Sequence, residues 1–167
     1  MAVVLLDNGG APCVPIFQRP ADMHRHASQM ALPGGRVHDG ETVADCAMRE
    51  LHEEIGLEVS AADELGRLDD FDTRSGFTIT PIVFWSDARE ADLRPSTAEV
   101  AVMFLPTVTE LLDAASVAGR GAAFSMVLPG VEVFAPTAAM LYQFAEVALR
   151  GREVRVADYF QPPWTHR

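Results

Sequence analysis

Three glutamates within one turn of a predicted helix are the residues of this chain best suited to chemistry. They are Glu50, Glu53 and Glu54, in the segment RELHEEIGL. Positions i, i+3 and i+4 lie on one face of a helix, where like charges repel one another. A divalent cation would turn this repulsion into binding, because hard cations prefer carboxylate oxygens as ligands. The spacing therefore predicts a site for a divalent metal ion on the surface of a helix.

A wider register of residues surrounds the three glutamates. Gly35, Glu41, Arg49 and Gly56 complete the pattern G-x5-E-x7-R-E-U-x-E-E-x-G-U, in which U is aliphatic. With residue usages of roughly 5–7% at each of the seven fixed positions, chance gives about one match in 10⁸ or more starting points. The alternative is a solvated acidic helix face beside an arginine, but that alternative does not require the outer glycines. The pattern therefore favours a functional motif.

The composition limits the classes of function. The chain has 167 residues, of which 49% are hydrophobic, and this is enough for one domain with a sizeable core. We therefore expect a single domain over residues 1–167. The net charge is −11, which argues against binding to a nucleic-acid backbone.

The cysteines and the start of the chain indicate the cellular setting. Cys13 and Cys46 are the only cysteines, too few for a disulfide framework, and they form no CxxC pair for zinc. We find no signal peptide, and the apolar run at residues 2–6 is far too short to cross a membrane. We therefore expect a cytoplasmic protein without a membrane partner.

Alternating strands and helices must position the glutamates. Apolar periodicity predicts a helix over residues 42–55, with Gly56 as its left-handed cap. Pro81 lies within a predicted strand, which suggests an edge strand or a bulge there. The pattern as a whole favours an α/β fold. The other predicted helices are 107–115 and 137–149, and the predicted strands are 2–6, 13–18, 65–71, 77–85, 99–105, 123–128 and 131–134.

Residues 35–57 resemble the complete 23-residue motif of the Nudix hydrolase family. This resemblance implies an α/β/α sandwich with a mixed sheet, in which the motif forms a catalytic loop–helix–loop. It also implies hydrolysis of the pyrophosphate bond in a nucleoside diphosphate linked to another group. The cofactor would be Mg²⁺ or Mn²⁺, since oxygen ligands suit both ions.

The resemblance also assigns roles to individual residues. The metal ligands would be carboxylates of the helix together with the backbone carbonyl of Gly35, and Arg49 and Glu41 would orient them. We place the general base within the pair Glu50 and Glu53. The carboxylate ligands on the helix are Glu50, Glu53 and Glu54.

Members of the family often take a further acidic ligand from a later loop. We assign this role to Glu99, which follows a charged loop and begins the predicted strand 99–105. The alternative for Glu99 is a solvated surface side chain. Weaker competitors for the role are Asp87, Glu90 and Asp92.

The segment before the motif bears on the substrate. Residues 15–35 resemble the upstream motif of coenzyme A pyrophosphatases, with Arg19 and residues 33–35 in register. The motif is degenerate, since positions 20, 24, 28 and 32 depart from it. Coenzyme A or a related compound is therefore the favoured substrate. ADP-ribose, NADH or another nucleotide is the first alternative, and a non-catalytic nucleotide-binding regulator is the second.

Several side chains are candidates for contact with the substrate. Arginine is a natural clamp for phosphate, and a histidine can carry charge beside one. An ordinary solvent-exposed loop is the alternative for the cluster at residues 24–26. Phe17, Phe71 and Trp85 could stack on a base or belong to the core. We expect a nucleotide as the partner and a possible homodimer, and we assign substrate binding to Arg19, His24, Arg25 and Arg36.

Overall fold

The computed structural model describes residues 1–23, 26–120, 123–157, 159 and 162. Its strands are β1 (Ala2–Leu6), β2 (Ile16–Gln18), β3 (Met30–Ala31), β4 (Glu64–Arg67), β5 (Phe71–Asp72), β6 (Thr78–Ile79), β7 (Ile82–Ser86), β8 (Val102–Phe104), β9 (Gly119–Arg120), β10 (Phe124–Leu128) and β11 (Val131–Phe134). Its helices are α1 (Val43–Ile55), α2 (Val108–Ser116) and α3 (Thr137–Gln143), which continues as a π-helical segment (Phe144–Leu149). Short 3₁₀ turns lie at Ala61–Asp63 and Glu90–Asp92.

Strand β1 is buried on both of its faces. It pairs in parallel with β7, and β7 pairs antiparallel with β4, so this sheet is mixed. Val3 and Leu5 belong to one hydrophobic cluster, whereas Val4 and Leu6 belong to the other. Because successive side chains of a strand point to opposite faces, β1 separates two cores.

Helices cover both faces of this sheet. Leu51 and Ile55 of α1 pack in the same cluster as Val4. Leu111 of α2 and Met140 of α3 pack in the cluster that contains Val3. The predicted α/β class with a mixed sheet between helices is therefore confirmed. Within the described ranges, no helix is both long and apolar enough to cross a membrane.

Three smaller sheets surround the first. Strand β2 lies between β3 and β8, and β10 lies between β11 and β9, with antiparallel pairing throughout. Strands β5 and β6 form a separate hairpin. Cys13 bridges Leu6 on one side and Thr107 on the other, which ties the start of the chain to the beginning of α2.

The predicted strand over residues 77–85 is two strands. Strand β6 pairs with β5, whereas β7 pairs with β1 and β4. Pro81 lies between them and lacks the N–H that a continuous ladder would need. The predicted edge position is wrong for β7, which is central in its sheet, but it holds for β6, which pairs on one side with β5. The predicted strand 65–71 divides in the same way, into β4 and β5.

The later elements differ from prediction mainly at their ends. The strand predicted over residues 99–105 is shorter, because residues 97–99 form a turn and β8 begins only at residue 102. The predicted helix 107–115 is confirmed as α2, shifted by one residue because Thr107 is its N-cap. The predicted helix 137–149 is helical throughout, although its second half is π-helical.

Candidate functional site

Helix α1 holds the glutamates in place through caps at both ends. The Thr42 side chain accepts from the Asp45 backbone N–H, and Asp45 accepts in return, so that orphan N–H groups are satisfied. At the other end Gly56 adopts a left-handed conformation with φ 68°. Any Cβ at this position would also collide with Arg94. The caps therefore fix where the helix begins and ends, and with that the direction of its acidic face.

Arg49 binds three carboxylates at once. Its Nε lies 2.8 Å from Glu41 Oε1, and its Nη2 lies 3.2 Å from Glu41 Oε2. Its Nη1 donates to Glu50 Oε1 at 2.7 Å and to Glu53 Oε2 at 2.8 Å. Hydrogen bonds from Arg49 lower the pKa of Glu41 to about 2, and the same contacts raise the pKa of Arg49 above its usual value. The guanidinium therefore offsets the repulsion that the spacing of the glutamates creates.

The loop before α1 lies directly against the Glu50 carboxylate. A Cβ at Gly35 would overlap with that carboxylate, so any larger residue would push the Glu50 side chain out of its present position. The carbonyl of Gly35 accepts a weak bond from Cys46 Sγ at 3.7 Å. The next carbonyl, of Arg36, accepts from Arg49 Nη2 at 3.2 Å. Backbone oxygens and carboxylates consequently converge on one small region.

Glu54 is buried on the other side of this region. Only 2% of the Glu54 surface is exposed. The Gly34 backbone N–H donates to Glu54 Oε2 at 2.9 Å, and Arg19 Nη2 lies 3.3 Å from Oε1. Burial raises the pKa of Glu54 to about 7, although Arg19 and the Gly34 N–H act in the opposite direction. These two partners therefore neutralise the carboxylate only in part.

A cavity of about 650 Å³ opens beside Gly34 and Gly35. One wall comes from the hairpin of β5 and β6, and another from β11 and the start of α3. Arg19, which pairs with Glu54 of α1, and Arg36, whose guanidinium lies over Phe77, both belong to the cavity lining. The cavity is of the size that encloses a cofactor-sized ligand, and its lining carries positive charge.

The NUDIX domain model matches residues 1–124 of this chain. The chain belongs to the Nudix family. An uncharacterized Nudix hydrolase, NudL, of Pectobacterium atrosepticum is 34% identical over 94 residues, which are 56% of this chain and 48% of that protein. The matched region spans less than half the length of such curated Nudix relatives.

Solved Nudix structures share the fold. A Nudix hydrolase from M. smegmatis, RenU, superimposes with a TM-score of 0.59 at 19% identity, over 92% of this chain and 86% of that one. The NUDIX domain of Shewanella oneidensis NrtR, solved with ADP ribose, gives a TM-score of 0.54 at 17% identity, over 89% and 84%. At these identities the similarity shows a common fold.

The Nudix motif of this chain suits a divalent cation by the chemistry of its donors. Glu54 is a buried carboxylate whose charge is only partly offset, and Glu50 lies against a glycine backbone. Among the described residues, no three His, Cys, Asp or Glu side chains are already arranged as a cage. Arg49 engages Glu50 and Glu53 instead. The residues thus fit a Mg²⁺ or Mn²⁺ ion that would share these carboxylates with Arg49.

Glu99 lies in the turn at residues 97–99 rather than at the start of a strand, so that part of its predicted setting was wrong. The Ser96 N–H donates to the Glu54 carbonyl at 2.9 Å and ties this loop to the end of α1. The charges of Glu50 and Glu99 both help to raise the pKa of Glu54. Glu99 therefore lies within electrostatic reach of the Nudix helix.

The competitors of Glu99 have other partners. Asp87 accepts from the Trp85 indole N–H at 2.9 Å, and Asp92 accepts from the Arg89 backbone N–H at 2.8 Å. Glu90 begins a 3₁₀ turn, and its own N–H is bound by the Asn8 side chain at 3.1 Å. The carboxylates of Asp87 and Asp92 therefore have partners other than a metal ion, whereas the contact of Glu90 involves only its backbone.

The predicted substrate contacts are brought together in part. Arg19 and Arg36 both line the cavity, as does His26, whose ring shares a hydrogen bond with Gln29. His24 and Arg25 lie outside the described residues. The aromatic residue that sequence analysis missed is Phe77, which lines the cavity beneath the Arg36 guanidinium. The signal that could have found it is the turn at residues 73–76, which places Phe77 just before the second strand of the hairpin, β6.

Proposed function

We propose that this protein is a pyrophosphohydrolase that cleaves nucleoside diphosphate derivatives with a divalent metal ion. The observation that carries the proposal is the cluster in which Arg49 holds Glu41, Glu50 and Glu53 beside the buried Glu54. A diphosphate is anionic and resists attack by water, so catalysis requires groups that position and neutralise it. The cavity next to the cluster provides room for the rest of such a substrate.

Each residue of the cluster has a role in the proposal. Glu50, Glu53, Glu54, Glu99 and the carbonyl of Gly35 would hold Mg²⁺ or Mn²⁺. When bound, the metal would shield the diphosphate charge, lower the pKa of water and stabilise the leaving phosphate.

The chain itself supplies orientation and the base. Arg49 fixes the carboxylates of Glu50 and Glu53 from one atom, Nη1, so their relative position is set before a substrate arrives. Glu41 fixes Arg49 in turn through two bonds. One of the pair Glu50 and Glu53 would accept the proton of the attacking water, since carboxylates held in this way act as general bases.

Coenzyme A or a related compound is the favoured substrate. The support is the upstream motif, in which Arg19 and residues 33–35 match that of coenzyme A pyrophosphatases. Arg19 and Arg36 lie on the cavity wall, where either could bind phosphate. ADP-ribose is the first rival, because a similar Nudix domain has been solved with ADP ribose.

One incubation separates these possibilities. The protein is mixed with Mn²⁺ and with coenzyme A, ADP-ribose, NADH, dinucleoside polyphosphates or dNTPs, and the products are resolved by chromatography. Formation of adenosine 3′,5′-bisphosphate together with 4′-phosphopantetheine supports coenzyme A as the substrate. Cleavage of ADP-ribose alone promotes the rival. Binding without cleavage of any compound overturns the enzymatic proposal and favours a nucleotide-binding regulator.

A further inference from the structure

The cavity beside the Nudix helix has an aromatic wall. Phe77 lines it and is 47% exposed. A large aromatic side chain left half exposed in a concave site gives up hydrophobic free energy that a stacked ligand would recover. Phe77 is therefore placed to bind a flat ring.

The hairpin that carries Phe77 is held by its own hydrogen bonds. The Thr73 N–H donates to the Phe77 carbonyl at 2.7 Å, and the Phe77 N–H donates to Thr73 Oγ1 at 3.0 Å. Thr78 Oγ1 donates to Asp72 Oδ1 at 2.6 Å across the two strands. The ring is thus presented from a preorganised turn, which lowers the entropy lost when a ligand binds.

One face of the Phe77 ring already receives a planar group. The Arg36 guanidinium lies 4.5 Å from the ring centroid. A guanidinium stacks on aromatic faces because it is flat and weakly hydrated. A nucleobase is also flat, so it can stack on the same face once the guanidinium has moved away. Arg36 therefore occupies the position that a stacked base would take.

Arg36 also connects the ring with the catalytic cluster. Its guanidinium contacts Phe77, while its carbonyl accepts from Arg49 Nη2 at 3.2 Å. One arginine side chain thus spans the distance from the cluster to the aromatic ring. A nucleoside diphosphate has a similar layout, with a base at one end and phosphates at the other. A base on Phe77 would place the diphosphate near the carboxylates.

The aromatic residues predicted from sequence are less suitable. Phe17 and Phe71 are buried in the two cores. Trp85 packs against a core, and its indole N–H is bound by Asp87. Phe77, by contrast, is 47% exposed and lies on the cavity wall.

We propose that Phe77 is the platform on which the base of the substrate stacks. When the base binds, the Arg36 guanidinium leaves the ring and turns toward the diphosphate. Phe77 then determines specificity, because it favours nucleotides over pyrophosphate compounds without a base. This inference rests on the proposed function for the placement of the diphosphate.

Calorimetry with two probes tests the inference without turnover. ADP and inorganic pyrophosphate are each titrated, with Mn²⁺, into wild type, Phe77→Ala, Phe77→Leu and Phe77→Tyr. We expect Phe77→Ala and Phe77→Leu to weaken ADP binding roughly 5- to 100-fold, the range that base–aromatic stacks span. Phe77→Tyr keeps the ring and stays within about twofold of wild type. Pyrophosphate affinity is expected to be the same in every variant.

Leu65→Ala is the matched control, because Leu65 is an exposed apolar residue (62%) on β4 away from the cavity. It should bind both probes as wild type does. Unchanged ADP affinity in Phe77→Ala, a parallel loss for pyrophosphate, or no ADP binding by wild type overturns the inference. If ADP binding weakens as expected but the protein cleaves no substrate, the stacking role of Phe77 stands and the proposed enzymatic function is refuted.

Discussion

Arg49 and Glu41 form a two-pronged ion pair, in which Nε and Nη2 donate to separate carboxylate oxygens at 2.8 Å and 3.2 Å. A lysine at position 49 keeps the charge but cannot form this fork. We expect Arg49→Lys to lower kcat by about 10²-fold with little change in KM, because misplaced catalytic groups lose rates of this order. Steady-state kinetics on whichever compound the incubation shows to be cleaved measure both constants. Arg67→Lys, at an exposed ion pair with Glu64, is the control, and equal kcat values in the two variants would contradict the role of Arg49.

Glu53→Gln is expected to remove most turnover and leave the fold intact. Acid–base groups typically contribute 10²–10⁴-fold, so we expect a loss of roughly that size. The Glu53 side chain is 51% exposed, and amide substitution conserves its shape, so the midpoint of thermal unfolding should hardly move. Glu58→Gln, one turn beyond the helix and 86% exposed, serves as the control with unchanged activity. Wild-type turnover in Glu53→Gln, with Mg²⁺ or Mn²⁺ present, would refute the assignment.

Stability of the metal-free protein should depend on the protonation of Glu54. Burial raises the pKa of Glu54 from 4.5 to about 7 in the folded state. Between these two pH values the folded protein therefore holds a proton that the unfolded chain has released. The free energy of unfolding should therefore fall as the pH rises from about 4.5 to 7, by about 3 kcal/mol at most. Above about pH 7 the contribution of Glu54 should no longer change. Glu54→Gln mimics the neutral acid and lacks this loss.

Urea unfolding in the presence of a chelator measures the effect of Glu54. The free energies of unfolding of wild type and Glu54→Gln should run in parallel below pH 4.5. Between pH 4.5 and 7.5 the free energy of unfolding of the variant should rise relative to that of wild type, by up to about 3 kcal/mol. A constant difference between the two proteins over this range would show that Glu54 does not titrate as described.

Gln143 ties distant parts of the chain together. Its side chain accepts from the Asp69 N–H at 3.2 Å and donates to Asp69 Oδ2 at 2.9 Å and to the Val154 carbonyl at 3.0 Å. Gln143→Leu leaves these groups without their partner, which costs about 1–3 kcal/mol for a buried polar group. We expect a lower free energy of unfolding and one transition in both proteins, as a single domain over residues 1–167 requires.

Two measurements monitor the unfolding of wild type and Gln143→Leu. Circular dichroism during thermal unfolding gives the transition, and intrinsic fluorescence should follow the same curve. Gln29→Leu is a comparison variant on the partly exposed loop beside the cavity, where we expect a smaller effect. Two separate transitions in wild type would contradict the single-domain expectation.

The motif and its helix were predictable because their signals are local. The caps, the apolar stripe and the acidic face of α1 all lie within 23 residues of sequence, at spacings that a helix fixes. The strand 2–6 was equally clear, and its burial on both faces agrees with its apolar run. Local geometry therefore accounts for the correct part of the prediction.

The remaining features depend on contacts between distant residues. Arg19 meets Glu54 across 35 positions, and nothing in the spacing indicates that Glu54, rather than Glu53, turns inward. Phe77 seemed to be the first residue of a long strand, but the break at Pro81 gives the two halves different partners. Tertiary pairing, which sequence periodicity does not encode, decides both features.

Arg49 gives the acidic helix an internal counterion, and this bears on the stability of the protein when no metal ion is bound. A site whose carboxylates repel one another would need its cation in order to fold, as zinc fingers do. Here the chain supplies a permanent positive charge to Glu41, Glu50 and Glu53. Scarcity of the ion should therefore silence the protein without unfolding it, and renewed supply should restore its activity without resynthesis.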